Sequence, residues 1–281
     1  MTVEMGSFLY FVFMFAAFGV IIGLYFLLRN KSQKTIKIVL FSMLAFNFLL
    51  HFSRAFYASS ASDFLSAVSF RNLCATSVLF FPFIFLSKNQ TWRDYMIYMG
   101  IFSGLGTLIF PEGVLGDDMT RFDSWRFYIC HSLLLIVSAL MLLLKVQKLD
   151  YRRIWKMPFC ALFMFLIIMI NSVLLSELGI TAARSGEVVP NYDNESLVWY
   201  PDRAAGPFLT WLTPEFMKTI PFGPHAGEAK YWPFLWLVCP VFFYGLVGCF
   251  LLALPFEWKH IKEDFTALKQ KIQNRKNKDS I

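Results

Sequence analysis

The chain has 281 residues, of which 57% are apolar and 16% charged, and Phe alone supplies 33. A soluble globular domain carries about 25% charged residues, so this composition excludes a soluble enzyme, a disordered chain and a disulfide-stapled module, and leaves an integral membrane protein. The formal charge of +7 lies mostly in short segments between apolar runs and in the C-terminal tail, where it reports topology and no nucleic-acid partner.

A membrane-spanning helix needs about 20 mostly apolar residues to cross about 30 Å of hydrocarbon. In chain order such stretches fall at residues 8–28, 36–56, 70–86, 95–111, 125–144, 158–178 and 232–255. They predict an all-α, polytopic membrane protein, a bundle of about seven transmembrane helices. Glu4 precedes the first apolar run and no basic segment does, so this helix is expected to be retained and not cleaved as a signal peptide. Lys and Arg set the orientation. Arg29 to Lys37, Lys88 and Arg93, Lys145 to Lys156 and the tail from Lys259 onward put 18 of the 26 basic residues on one side, while 13 of the 19 acidic residues fall on the other. The N-terminus is therefore expected outside and the C-terminus inside, in the cell (plasma) membrane.

Two segments lie outside the predicted spans of this membrane domain (residues 1–256). Residues 177–231 form a long outer connection rich in Pro, Gly and Trp, a candidate lid or partner surface. In the tail, 257–281, Trp258, Ile261, Phe265, Leu268 and Ile272 recur at spacings of three and four beside many Lys. That predicts a basic amphipathic helix on the inner leaflet, with a coiled-coil stub as the alternative. Gly19 with Gly23, and Gly100 with Gly104, have the Gly-x-x-x-Gly spacing of close helix contacts.

Polar residues inside spans are costly and usually face the bundle interior. His51, Cys74, His131 and Asn171 belong to four different helices, yet counting residues puts them in one layer, about 6–11 Å below the outer edge. Arg54, Arg71 and Arg126 lie at or just above it, where they suit a phosphate or carboxylate head group. An imidazole near a thiol supplies a thiolate able to attack an acyl carbonyl, which makes Cys74 and His131 a candidate nucleophile and base. The five cysteines, Cys74, Cys130, Cys160, Cys239 and Cys249, contain no Cys-x-x-Cys pair, and no disulfide framework or metal site follows from them.

The run Phe70-Arg71-Asn72-Leu73-Cys74, continued through Pro82 to Asn89, resembles the Leu-Pro-Leu-His-Leu-Cys segment of the YwaF-like integral membrane proteins. Tyr98-Met99-Gly100, the run from Phe127 to Ser132 through Cys130 and His131, Asn171, and Tyr231-Trp232-Pro233 follow in that family's order. The likeness covers most of the membrane part. It departs at Asn72, where the family has His, and in the longer outer connection. The resemblance implies a phospholipid acyltransferase or lipid hydrolase, similar to eukaryotic transmembrane Cys/His enzymes. Cys74 would be the nucleophile, His131 the base and Asn171 a polar support.

The expected function is thus acyl transfer or hydrolysis on lipid esters through a Cys74 thioester. Asn72 or Asn171 would donate to the oxyanion, and phospholipid or lysophospholipid would be the partner, without a cofactor. A protein partner at the outer connection is also consistent. The other classes open at this point are a transporter or receptor-like binding protein and, using His51 and His131, a bis-His haem protein.

Overall fold

Ser and Asn residues begin the first five helices by turning a side-chain oxygen onto an otherwise orphaned amide. Ser7 starts α1 (Phe8–Leu28) and Ser32 starts α2 (Gln33–Phe52). Ser60 starts α3 (Ala61–Val68), Asn72 starts α4 (Leu73–Leu86) and Asn89 starts α5 (Gln90–Ile109). The later helices are α6 (Phe122–Leu143), α7 (Met157–Glu177), the short α8 (Gly206–Thr210) and α9 (Val238–Lys278). In this computed structural model the described residues are 2–181, 194, 196–201, 206–228 and 230–278, and no β-strand occurs among them. The fold is all-α.

Each of the seven apolar stretches contains a helix, but they are not equally long or apolar. Five elements have the length and composition to cross a membrane: Phe8–Leu28, Gln33–Phe56, Phe122–Leu143, Tyr151–Glu177 and Leu235–Asn274. The pair α3 and α4, bent by 68° at its break, raises the number to six if it is one span. The bend arises because Asn72 adopts an extended backbone and restarts the helix three residues later than the apolar run suggested. Helix α5 has 20 residues but carries Gln90, Arg93 and Asp94 in its first turns. The described residues of the tail continue α9 past Pro255. Part of the outer connection, residues 182–193, lies outside the described residues, as do 279–281.

Helices α5 and α6 form the centre, flanked by α1, α2, α4 and α7, and α7 packs in turn on α9. Small residues allow the central approach. A Cβ at Gly100 would fall 1.9 Å from Ser138 Oγ, and one at Gly104 would fall 2.8 Å from both the His131 carbonyl oxygen and the Leu135 amide nitrogen. Gly19 and Gly23 have the same spacing but nothing within 4 Å of such a Cβ. Only the second pair is thus a helix contact within this chain. Gly104→Ala is expected to cost about 1–3 kcal/mol by overpacking backbone against backbone, read as a lower thermal midpoint in detergent. Gly19→Ala should leave that midpoint nearly unchanged.

At the end of the bundle away from Cys74 and His131, Asp94 is buried. Its carboxylate accepts from Gln147 Nε2 and Arg153 Nε, each at 2.6 Å. Arg153 also donates to the Lys148 carbonyl at 3.1 Å, and Arg93 donates to the Val146 carbonyl at 3.1 Å. The first turn of α5 is in this way bolted to the chain between α6 and α7.

Candidate functional site

The restart of the chain at Asn72 decides where Cys74 sits. Asn72 Oδ1 accepts from the Ala75 amide at 2.8 Å, and the Leu73 amide donates to Ser196 Oγ of the outer connection at 3.0 Å. Cys74 is consequently the second residue of α4, in its first turn. A helix begins with its positive dipole end, so negative charge developing at this thiol is favoured there. The Sγ atom lies 3.9 Å from Thr107 Oγ1 near the end of α5.

His131 reaches the same place from α6. Its Nδ1 is 2.7 Å from the Phe127 carbonyl oxygen, and a carbonyl only accepts, so Nδ1 carries the proton. In the neutral ring Nε2 is then the basic nitrogen. Cys74, Thr107 and His131 all line one cavity of about 660 Å³, whose apolar wall includes Phe102, Phe165, Leu209 and Val241. Ser103, one turn before Thr107 on the same face of α5, lines it too, and its buried hydroxyl has no hydrogen-bond partner. The tight contact at Gly104, between these two hydroxyls in sequence, is what brings α5 against the backbone of His131.

Arg54, Arg71 and Arg126 also line the cavity, together with Glu112 and Asp123. Arg54, Arg71 and Asp123 border a second, adjoining cavity of about 470 Å³. The three arginines are not equivalent, as the sequence had left them. Arg126 is only 5% exposed, and its Nε donates to Asp123 Oδ1 at 2.7 Å and to Tyr57 Oη at 2.8 Å. Tyr57 donates in turn to Asp123 at 2.7 Å. Arg126 is therefore charge-compensated within the protein, whereas Arg54, which donates to the Ala67 carbonyl and lies beside the same Tyr57 and Asp123, stands at the meeting of the two cavities.

The two expected oxyanion donors are placed differently. Asn72 lines the cavity, its side-chain oxygen capping α4. Asn171 is absent from the cavity wall, and its Nδ2 donates to Ser69 Oγ at 3.1 Å, which ties α7 to the turn between α3 and α4. His51 does line the cavity, and its Nε2 is 3.1 Å from the Val68 carbonyl, bracing the end of α3. Cys130 is buried with Sγ 4.0 Å from Arg126 Nη1 and lines the cavity, while Cys160 and Cys249 are buried in the packing and Cys239 is partly exposed. Among the described residues no group of His, Cys, Asp and Glu is suited to hold a metal ion.

The outer connection supplies a wall of the cavity, which its lack of periodicity concealed. Ser196 and Leu197 line the cavity. Their segment is anchored by Trp199 Nε1 donating to Ser172 Oγ at 3.1 Å and by the buried Trp236, whose Nε1 donates to the Val198 carbonyl at 3.3 Å. Asn194 organises the turn by accepting from the Trp199 amide and donating to the Tyr200 carbonyl, each at 2.9 Å. The available signal was compositional, a concentration of Trp and Asn in a membrane protein's loop. Ser103 and Thr107 were signalled only by their four-residue spacing in an apolar helix.

A family model described as the TMEM164 family matches residues 3–194, more than half of the chain. The matched range takes in the helices that carry Cys74 and His131 and ends before α8 and α9. No curated protein and no solved structure matches the chain.

Proposed function

The chain belongs to the TMEM164 family of transmembrane proteins, and from that premise we propose that it transfers acyl chains between lipids, or from a lipid to water, through a thioester on Cys74. The observation that carries this reading is the shared cavity: a thiol in the first turn of one helix and an imidazole with a basic Nε2 open into one apolar-walled space. The similarity of the Cys74 and His131 segments to the YwaF-like proteins supports the same reading, and the membrane proposed for the reaction is the cell membrane.

In the proposed cycle His131 Nε2 removes the thiol proton and Sγ attacks the ester carbonyl of a lipid whose acyl chain lies along the Phe102 and Phe165 wall. The tetrahedral intermediate collapses, the lysolipid oxygen leaves with the proton from His131, and the acyl group remains on Sγ. A hydroxyl of a second lysolipid, or water, then gives its proton to Nε2, attacks the thioester and releases Cys74. Arg54 and Arg71, which border both cavities, suit the phosphate of the head group. Thr107, with Ser103 behind it, joins Asn72 on the cavity wall as a donor to the oxyanion.

The test uses full-length protein in nanodiscs containing phospholipid labelled on the acyl chain. Label attached to the protein at Cys74 and released by hydroxylamine is the expected result, together with labelled lysolipid acceptor or free fatty acid. An absence of both across several head groups would instead favour a binding or transport protein. Thr107→Val should slow transfer by about 10–100-fold with little change in KM, because it removes a donor at the reacting centre and no binding contact. An unchanged kcat would remove Thr107 from the mechanism.

A further inference from the structure

Helix α9 runs for 41 residues. At about 1.5 Å per residue that is about 60 Å, twice the hydrocarbon thickness, so much of its second half stands beyond the membrane. One face of this half is held to the bundle. Arg152, in the connection between α6 and α7, grips Asp264 with Nη2 2.7 Å from Oδ1 and Nε 3.0 Å from Oδ2, and Tyr151 donates to the same carboxylate.

A second face is uncovered. Trp258 is 59% exposed, Phe265 70%, Leu268 54% and Ile272 48%, with Ile261 partly exposed among them. These positions continue, at the same alternation of three and four, from the exposed Val247 and Leu251 and the partly exposed Leu254 within the membrane part. The repeat averages 3.5 residues, that of a coiled-coil seam. A helix lying flat on the leaflet would have to turn sharply after its last membrane turn, yet α9 continues past this point as one helix.

The charges flanking the seam say what fits it. With Trp258 and Phe265 at one core position and Ile261 and Leu268 at the other, Glu257 and Asp264 occupy one flank, and Lys262 and Lys269 the other. In a parallel pair each residue of the first flank meets the residue five places further on in the opposite helix. Glu257 then faces Lys262 of a second copy, and Asp264, whose side chain keeps 38% exposure beside Arg152, faces Lys269. Both pairs are of opposite charge. Parallel is also the arrangement imposed on two copies inserted the same way in one membrane.

We infer that α9 is a dimerisation helix, its exposed seam covered by the same seam of a second copy in a parallel coiled coil. The inference does not depend on the chemistry of the cavity. The full chain, reconstituted in neutral phospholipid vesicles, would carry a photoreactive residue as Phe265→p-benzoylphenylalanine, with Gln270→p-benzoylphenylalanine on the opposite face as control. A covalent dimer should form several-fold more at 265 than at 270, disappear with Leu268→Glu, and weaken with Lys269→Glu. Because Leu268 and Lys269 are exposed in the single chain, neither change should disturb its fold. Equal crosslinking at both sites, or adducts to lipid alone, would overturn the inference, the latter by assigning the seam to the membrane surface.

Discussion

Cys74→Ala is expected to reduce acyl transfer to background, a loss of at least about a thousandfold, because it removes the nucleophile that carries the thioester. His131→Ala should cost about a hundred- to ten-thousandfold, the usual range for a positioned general base. The two losses are expected to be far from additive, since the thiol and the imidazole act in one step. Cys74→Ser is the more informative variant. A serine hydroxyl fits the first turn of α4, where Asn72 and Ser196 already satisfy the amides of the neighbouring residues, so the fold should survive. The hydroxyl holds its proton far more tightly than a thiol, so residual turnover should be low and no hydroxylamine-labile label should remain. Full activity in Cys74→Ser would sink the thioester mechanism. Each variant should be checked for an unchanged thermal midpoint, so that lost activity reports chemistry and not misfolding.

Asp94→Ala is expected to be the most damaging single change outside the cavity, lowering stability by about 3 kcal/mol. Removing one member of a buried ion pair costs about 3–5 kcal/mol where the other charge is left uncompensated; Arg153 keeps its longer pair with Asp150 at 3.3 Å, so the low end of that range applies. Asp94 is 1% exposed and serves both Gln147 and Arg153, so its loss takes the shortest acceptor from a buried amide as well as from a guanidinium. Asp94→Asn should fall between the wild type and Asp94→Ala, retaining an acceptor but no charge. The measurement is the thermal midpoint in detergent or nanodiscs. A midpoint unchanged in Asp94→Ala would mean that the cluster is hydrated and carries little of the fold. Activity should fall only as far as the folded fraction does, because the cluster stands at the other end of the bundle from Cys74.

Much of this molecule was legible in the chain itself. Apolar runs of about 20 residues admit only helices in a membrane, where every backbone amide must be satisfied within its own segment. The all-α membrane architecture therefore follows from composition and run length. Cys74 and His131 stood out because polar groups in such runs are costly, and the structure does bring both to one cavity. Gly100 and Gly104 were marked by spacing alone, but so were Gly19 and Gly23, where an added Cβ would meet nothing within 4 Å. Spacing along one helix does not say which face meets a neighbour.

What the tertiary structure alone decided concerns partners brought together across the chain. Asn72 and Asn171 qualified equally well as oxyanion donors by type and depth, but only Asn72 lines the cavity, while Asn171 braces Ser69. Arg126 counted as a head-group cation until Asp123 and Tyr57 closed around it. Thr107 and Ser196 were unremarked hydroxyls until α5 and the outer connection carried them to Cys74 and to its neighbour Leu73. The physical reason is common to all of these. Insertion into a membrane depends on each segment's own transfer energy, a property local to the sequence. The role of a polar side chain depends on which donor, acceptor or charge packing places within about 3 Å of it, and that is settled only when the helices meet.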